Sequence, residues 1–180
     1  MKLLFAFALA LFPILASGQS PRPRPENVYL KAFQYIKSDS EYLRMRGNSN
    51  CVAVFDSIVH QNQLIFLDEL GKQWGYTGYK KENRLLDSLE TVDRLTYHKP
   101  YYSAVTASLT RASGSQKGCM VIMFSRLHNN MLLAEVSDNG EDGTGRNHII
   151  STFDQSLLYL IVFGADGKVQ QHYTKILSYN

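Results

Sequence analysis

Seven consecutive apolar residues, Leu157 to Phe163, restrict the possible folds of this chain more than any other stretch. The run is too short to cross a membrane, and it is apolar on both faces, which marks a central β-strand. Asp166-Gly167 then turns the chain into Val169 to Leu177 and predicts a hairpin. Upstream, Met131 to Ser137 alternates Leu132, Ala134 and Val136 against Glu135 and Ser137, the pattern of a strand. His128-Asn129-Asn130 predicts a turn that links it to the apolar run from Cys119 to Leu127. Turns this local predict antiparallel pairing throughout.

The first half is helical in pattern. Tyr29, Phe33 and Ile36, with Ala32, form one stripe of a helix that begins near Glu26. Ser38-Asp39-Ser40 breaks that helix or caps a second short one, which Gly47 stops. Cys51 to Val59 has the β-branched content of a strand. Leu64 to Gly71 is either a returning strand or one helical turn closed by Gly71, so Cys51 to Leu70 as a whole is read as a strand followed by a mixed segment. Trp74 to Tyr79 is a glycine-spaced aromatic loop, and Leu85, Leu86, Leu89 and Val92 are spaced for one helical face. Helices first and strands last predict an α+β domain, with N-terminal helices packed on a C-terminal antiparallel sheet of about four or more strands. A curved, cone-like sheet, similar to nuclear-transport-factor-2 or cystatin-like folds, is compatible with this order of elements. No family motif is matched.

The N-terminus predicts export. Lys2, the uncharged run from Leu3 to Leu15 and the small residues Ala16-Ser17-Gly18 are the three parts of a secretory signal peptide over residues 1–18. Gln19 stands where a lipobox would need cysteine, so cleavage is expected to leave no lipid anchor. Residues 19–25 contain Pro-Arg-Pro-Arg-Pro, an extended spacer. Residues 26–180 remain as one domain of ordinary size. The expected location is therefore secreted or periplasmic. The chain carries a formal charge of +3, one unit lower without Lys2, which is too small and scattered to suggest nucleic acid or an anionic membrane as a partner. In an oxidising compartment Cys51 and Cys119 allow one disulfide, although the apolar neighbours of both suit buried free thiols equally well.

Few residues suggest chemistry. Asp138 to Asp142 invites a calcium reading, but Gly140 and Ile149 fall where an EF-hand needs oxygen ligands. No histidine pair has zinc-site spacing, no Gly-x-Ser-x-Gly occurs, and neither metal nor cofactor is expected. The best candidates are aromatic: Trp74, Tyr76 and Tyr79, with Tyr97, Tyr101 and Tyr102. Their glycine and proline neighbours put them on loops, where amphipathic rings build contacts to proteins, peptides or glycans. Trp74 and Tyr76 lead this set. The functional expectation is a non-enzymatic binding module, using the aromatic loops and a concave sheet face. The alternative is a small hydrolase or isomerase with Asp56, His60 or His98 as acid or base.

Overall fold

The computed structural model describes residues 25–110, 119–138 and 155–178. The expected signal peptide, nearly all of the spacer, and the acidic loop beyond Asp138 lie outside the described residues.

Helix α1 (Pro25–Ser38) starts on a proline, whose fixed φ suits the first helical turn. It buries Val28, Tyr29, Ala32, Phe33 and Ile36 along one side. Asp39 then caps helix α2 (Ser40–Arg46), its Oδ1 accepting from the backbone N–H of Glu41 at 3.0 Å and of Tyr42 at 3.3 Å. Gly47, at φ +50, ends α2. Strand β1 (Val52–Ile58) follows, then a 3-10 turn over Gln63–Phe66 and helix α3 (Leu67–Trp74). Helix α4 (Tyr79–Thr96), the two-residue strand β2 (Tyr101–Tyr102) and the short helix α5 (Ala104–Ala107) complete the connection to strand β3 (Met120–Phe124). Strands β4 (Met131–Asp138), β5 (Gln155–Phe163) and β6 (Val169–Ser178) form the last part.

The domain is α+β, with one six-stranded sheet in the order β2-β1-β3-β4-β5-β6. From β3 to β6 every neighbour is antiparallel, and for β3–β4 and β5–β6 a tight turn requires it. The expectation of antiparallel pairing throughout fails at β1 and β3, which run parallel with Val52 opposite Met120. A parallel pair needs a long crossover, and α3, α4, β2 and α5 supply it.

Helices lie on both faces of this sheet, which is not closed into a barrel. On one face α1 and α2 cover Met120, Ile122, Phe124, Leu132, Ala134, Val136, Leu157, Tyr159 and Ile161. On the other, Phe66, Leu70, Leu85 and Leu89 pack on Met131, Leu133, Leu158 and Leu160. This second layer buries Glu135 and Ser137, on the same side of β4 as Met131 and Leu133. It also decides between the two readings of Leu64 to Gly71 in favour of helix, because Phe66 and Leu70, four residues apart, place both side chains on one helical face. Gly71 does not stop that helix. It sits inside α3, where a Cβ would lie 3.5 Å from Leu85 and 3.4 Å from the Tyr76 carbonyl. The stop is Gly75, at φ +70.

Cys51 and Cys119 are joined in a disulfide, with Cα atoms 4.5 Å apart. They immediately precede β1 and β3, so the bridge staples the parallel pair at its N-terminal end. No helix among the described residues is long and apolar enough to cross a membrane.

Candidate binding cleft

The carboxyl ends of β1 and β3 lie side by side at the other end of that pair. In open sheets, this is where chains leaving neighbouring parallel strands diverge and leave a crevice. Here β1 continues into Val59-His60-Gln61 and β3 into Ser125-Arg126-Leu127, and together they line a cleft of about 300 Å³. Its apolar floor comes from Val59, Leu127, Met131 and Leu133, and its polar wall from His60, Gln61, Gln63, His98, Arg126 and His128.

The end of α4 forms one side. Pro100 disfavours helical φ/ψ at Lys99, so the chain leaves α4 extended at Tyr97 and returns as β2, with Tyr101 opposite Ile58. This brings four rings together in a row. Tyr97 and His60 have centroids 5.0 Å apart, His60 and His98 5.9 Å, and His98 and Tyr101 5.0 Å, all edge-to-face. Asp93 of α4 fixes the row, its Oδ1 accepting from the His60 ring N–H at 2.9 Å. The His98 Nδ1–H donates to the Lys99 carbonyl at 3.0 Å.

The other side is the β3–β4 hairpin. Asn129 and Asn130 both have positive φ, +47° and +62°, the conformation a two-residue hairpin turn with strand-matching twist requires. Asparagine tolerates it best after glycine. The Asn129 side chain donates to His128 Nε2 at 3.0 Å, leaving the other ring nitrogen to carry the proton. Beneath, Tyr29 of α1 donates to the Ser125 carbonyl at 3.0 Å and accepts from the Leu127 N–H at 3.3 Å. Burial pushes this phenol up to about 12. The helix that covers one face of the sheet thus pins the wall of the cleft.

The two hydroxyls in the cleft lining are engaged with the backbone: Ser125 Oγ with the Arg126 carbonyl and the Leu133 N–H, and Thr96 Oγ1 with the Val92 carbonyl. Asp56 does not line it. That carboxylate lies buried within β1 and accepts from the Ser57 hydroxyl at 3.0 Å. Among the described residues, no group of three or more His, Cys, Asp or Glu could hold a metal ion.

The six aromatic candidates do not form one surface. Tyr97, Tyr101 and Tyr102 are exposed, at 66%, 43% and 64%; Tyr97 packs on His60 and Tyr101 on His98, next to the cleft but outside its lining, and Tyr102 pairs with Ser57. Trp74, Tyr76 and Tyr79 lie at the opposite end of α4, an 18-residue helix about 27 Å long. Trp74 and Tyr79 belong to helices, the last residue of α3 and the first of α4, and only Tyr76 between them is on the loop. Tyr101 and Tyr102 form an edge strand rather than a loop. The concave sheet face expected as a contact surface is covered by α1 and α2 on one side and by α3 and α4 on the other.

Sequence reasoning missed Gln61, Gln63, Arg126 and His128, which line the cleft, and Asp93, which holds His60 from outside the lining. Asp93 is 33 residues from His60, and no local spacing links them. Comparison with known protein families, with curated proteins and with solved structures finds no match to this chain.

Proposed function

We propose that this is an exported, non-enzymatic binding module, secreted or periplasmic, that contacts a protein, peptide or glycan partner through the cleft and the exposed tyrosines packed on His60 and His98 beside it. The observation that carries this reading is the row Tyr97–His60–His98–Tyr101, whose outer members stay exposed beside a cavity while every buried ring is in the core. Large rigid rings held out of the core contribute contact area at little entropic cost, which is what recognition surfaces use. The disulfide supports an oxidising compartment. Mass spectrometry of the protein from its native host is expected to find Gln19 at the mature N-terminus, and an intact Met1 would refute export.

The functional test compares the wild type with Tyr97→Ala/Tyr101→Ala on glycan and peptide arrays. Both rings are exposed, so the melting temperature is expected to hold within a few degrees. Signals on the arrays are expected to fall by about thirtyfold, the effect of losing a hot spot worth ~2 kcal/mol. A wild type that binds nothing, or a variant that binds equally well, would refute the reading. The His60–Asp93 pair favours a second reading, an acid–base enzyme working in the same cleft. Under that reading His60→Gln abolishes turnover of a hydrolase substrate panel, whereas a binding module shows none to abolish.

A further inference from the structure

The formal charge of the whole chain is only +3, but its basic residues are not spread evenly. The elbow between α3 and α4, residues 72–84, carries Lys72, Lys80, Lys81 and Arg84 against a single acid, Glu82. Every residue of this stretch is exposed. Glu82 is engaged locally, its Oε1 accepting from the Gly78 N–H at 3.1 Å. Among the described residues, none of the four cations has a carboxylate within ion-pair distance. Three large rings stand between them: Trp74, Tyr76 and, at 79% exposure, Tyr79. The tip is bare. Gly75 and Gly78 have φ of +70° and +90°, and nothing lies within 4 Å of where a Cβ would stand on either. The backbone there can approach a flat surface closely. Exposed rings beside cations suit a protein interface or an anionic membrane surface. The kind of cation separates the two. Lysine is depleted at protein interfaces, where arginine is favoured, and three of these four cations are lysines. Tryptophan and tyrosine are the rings that settle at the level of lipid headgroups, with the apolar body inward and the polar tip in water. Lysines between them meet phosphate as compact point charges.

We propose that the α3–α4 elbow docks the protein on the surface of an anionic phospholipid bilayer, with Trp74, Tyr76 and Tyr79 at headgroup level and Lys72, Lys80, Lys81 and Arg84 over the phosphates. The elbow and the cleft lie at opposite ends of α4, about 27 Å apart, so docking leaves the cleft free. Membrane docking is a second property of the protein, independent of what the cleft binds.

Trp74 is the only tryptophan of the chain, so its fluorescence reports on the elbow alone. The full mature chain, disulfide intact, is titrated with vesicles of equimolar phosphatidylglycerol and phosphatidylcholine, with vesicles of phosphatidylcholine alone, and with poly-glutamate. On the anionic vesicles the emission is expected to move to shorter wavelength and the protein to float with the lipid. Partitioning onto phosphatidylcholine alone is expected to be about tenfold or more weaker, since each basic residue near an anionic surface contributes about fivefold. Lys80→Gln/Lys81→Gln, both exposed, is expected to weaken binding to the anionic vesicles by about tenfold or more at an unchanged melting temperature. The wild type is expected to come off those vesicles as salt is raised, a result that needs no variant to fold. Tyr97→Ala/Tyr101→Ala is expected to bind vesicles like the wild type. An unshifted emission, or equal partitioning onto both vesicles, overturns the proposal. Tighter binding to poly-glutamate than to the anionic vesicles also overturns it and makes the partner an acidic protein. None of these failures touches the cleft, which the array experiment tests separately.

Discussion

The Asp39 carboxylate holds the helical layer on the sheet, and its loss is measurable. Tyr159 is fully buried in β5, and its hydroxyl donates to Asp39 Oδ1 at 2.7 Å. The same oxygen accepts from the Glu41 and Tyr42 N–H groups at the start of α2. A hydrogen bond to a charged group contributes about 1.5–3 kcal/mol, so Tyr159→Phe, which keeps the ring, is expected to cost that much. Asp39→Ala removes this bond and the cap, worth ~1 kcal/mol, and it leaves the phenol unpaired in the core. Its expected cost is therefore about 2.5–5 kcal/mol. Asp39→Asn keeps an acceptor and a good cap and is expected to cost the least of the three. In the double variant Tyr159→Phe/Asp39→Ala the unpaired hydroxyl is gone, so the two costs are not additive and a coupling of roughly 1.5–3 kcal/mol is expected. Urea unfolding followed by far-UV circular dichroism gives all four free energies. Additive costs within ~0.5 kcal/mol, or a Tyr159→Phe variant as stable as the wild type, would refute the assignment.

Two further outcomes follow from the same structure. The disulfide spans 68 residues, so its reduction is expected to lower the unfolding free energy by about 4 kcal/mol, and an unchanged urea midpoint with reductant would refute this. Burial raises the Tyr29 phenol to about 12, so the folded state favours its neutral form; the associated stability is complete below pH 10, lost as pH rises from 10 toward 12, amounts to about 2–3 kcal/mol, and should vanish from the alkaline unfolding profile of Tyr29→Phe.

What was legible in the sequence is what local chemistry decides. Asn129-Asn130 and Asp166-Gly167 force tight turns, so the hairpins around β4, β5 and β6 could be read from a few residues each. Asp39 and Gly47 bound α2 for equally local reasons. The parallel register of β1 on β3 depends on a crossover of some sixty residues and a disulfide, and neither leaves a periodic trace. Leu64 to Gly71 stayed open between strand and helix because a short apolar run carries no period of its own, and the partner that decided it, Leu85, comes from the next helix. The burial of Glu135 and Ser137 was hidden for the same reason: alternation reports two faces of a strand, but not whether the second face is covered.

The aromatic candidates show how far composition reaches toward a site. It could find rings beside glycine and proline, but it could not see that α4 holds the two groups about 27 Å apart. That separation has a consequence for binding. A ligand that fills a cleft of about 300 Å³ cannot reach the trough that Trp74 and Tyr76 form with Lys81 and Arg84. Trp74→Ala/Tyr76→Ala is therefore expected to leave the array signals that depend on Tyr97 and Tyr101 within about twofold of the wild type, since distant sites with no shared partners act independently. Both side chains are partly exposed, at 42% and 38%, and Leu70 and Leu85 hold α3 and α4 on the sheet without them, so the fold should survive. A loss of array signal comparable to that of Tyr97→Ala/Tyr101→Ala, in a variant with an unchanged melting temperature, would mean that the two ends of α4 act as one site. The cleft would then be only part of the contact surface, and the ligand would have to be a polymer long enough to follow the helix.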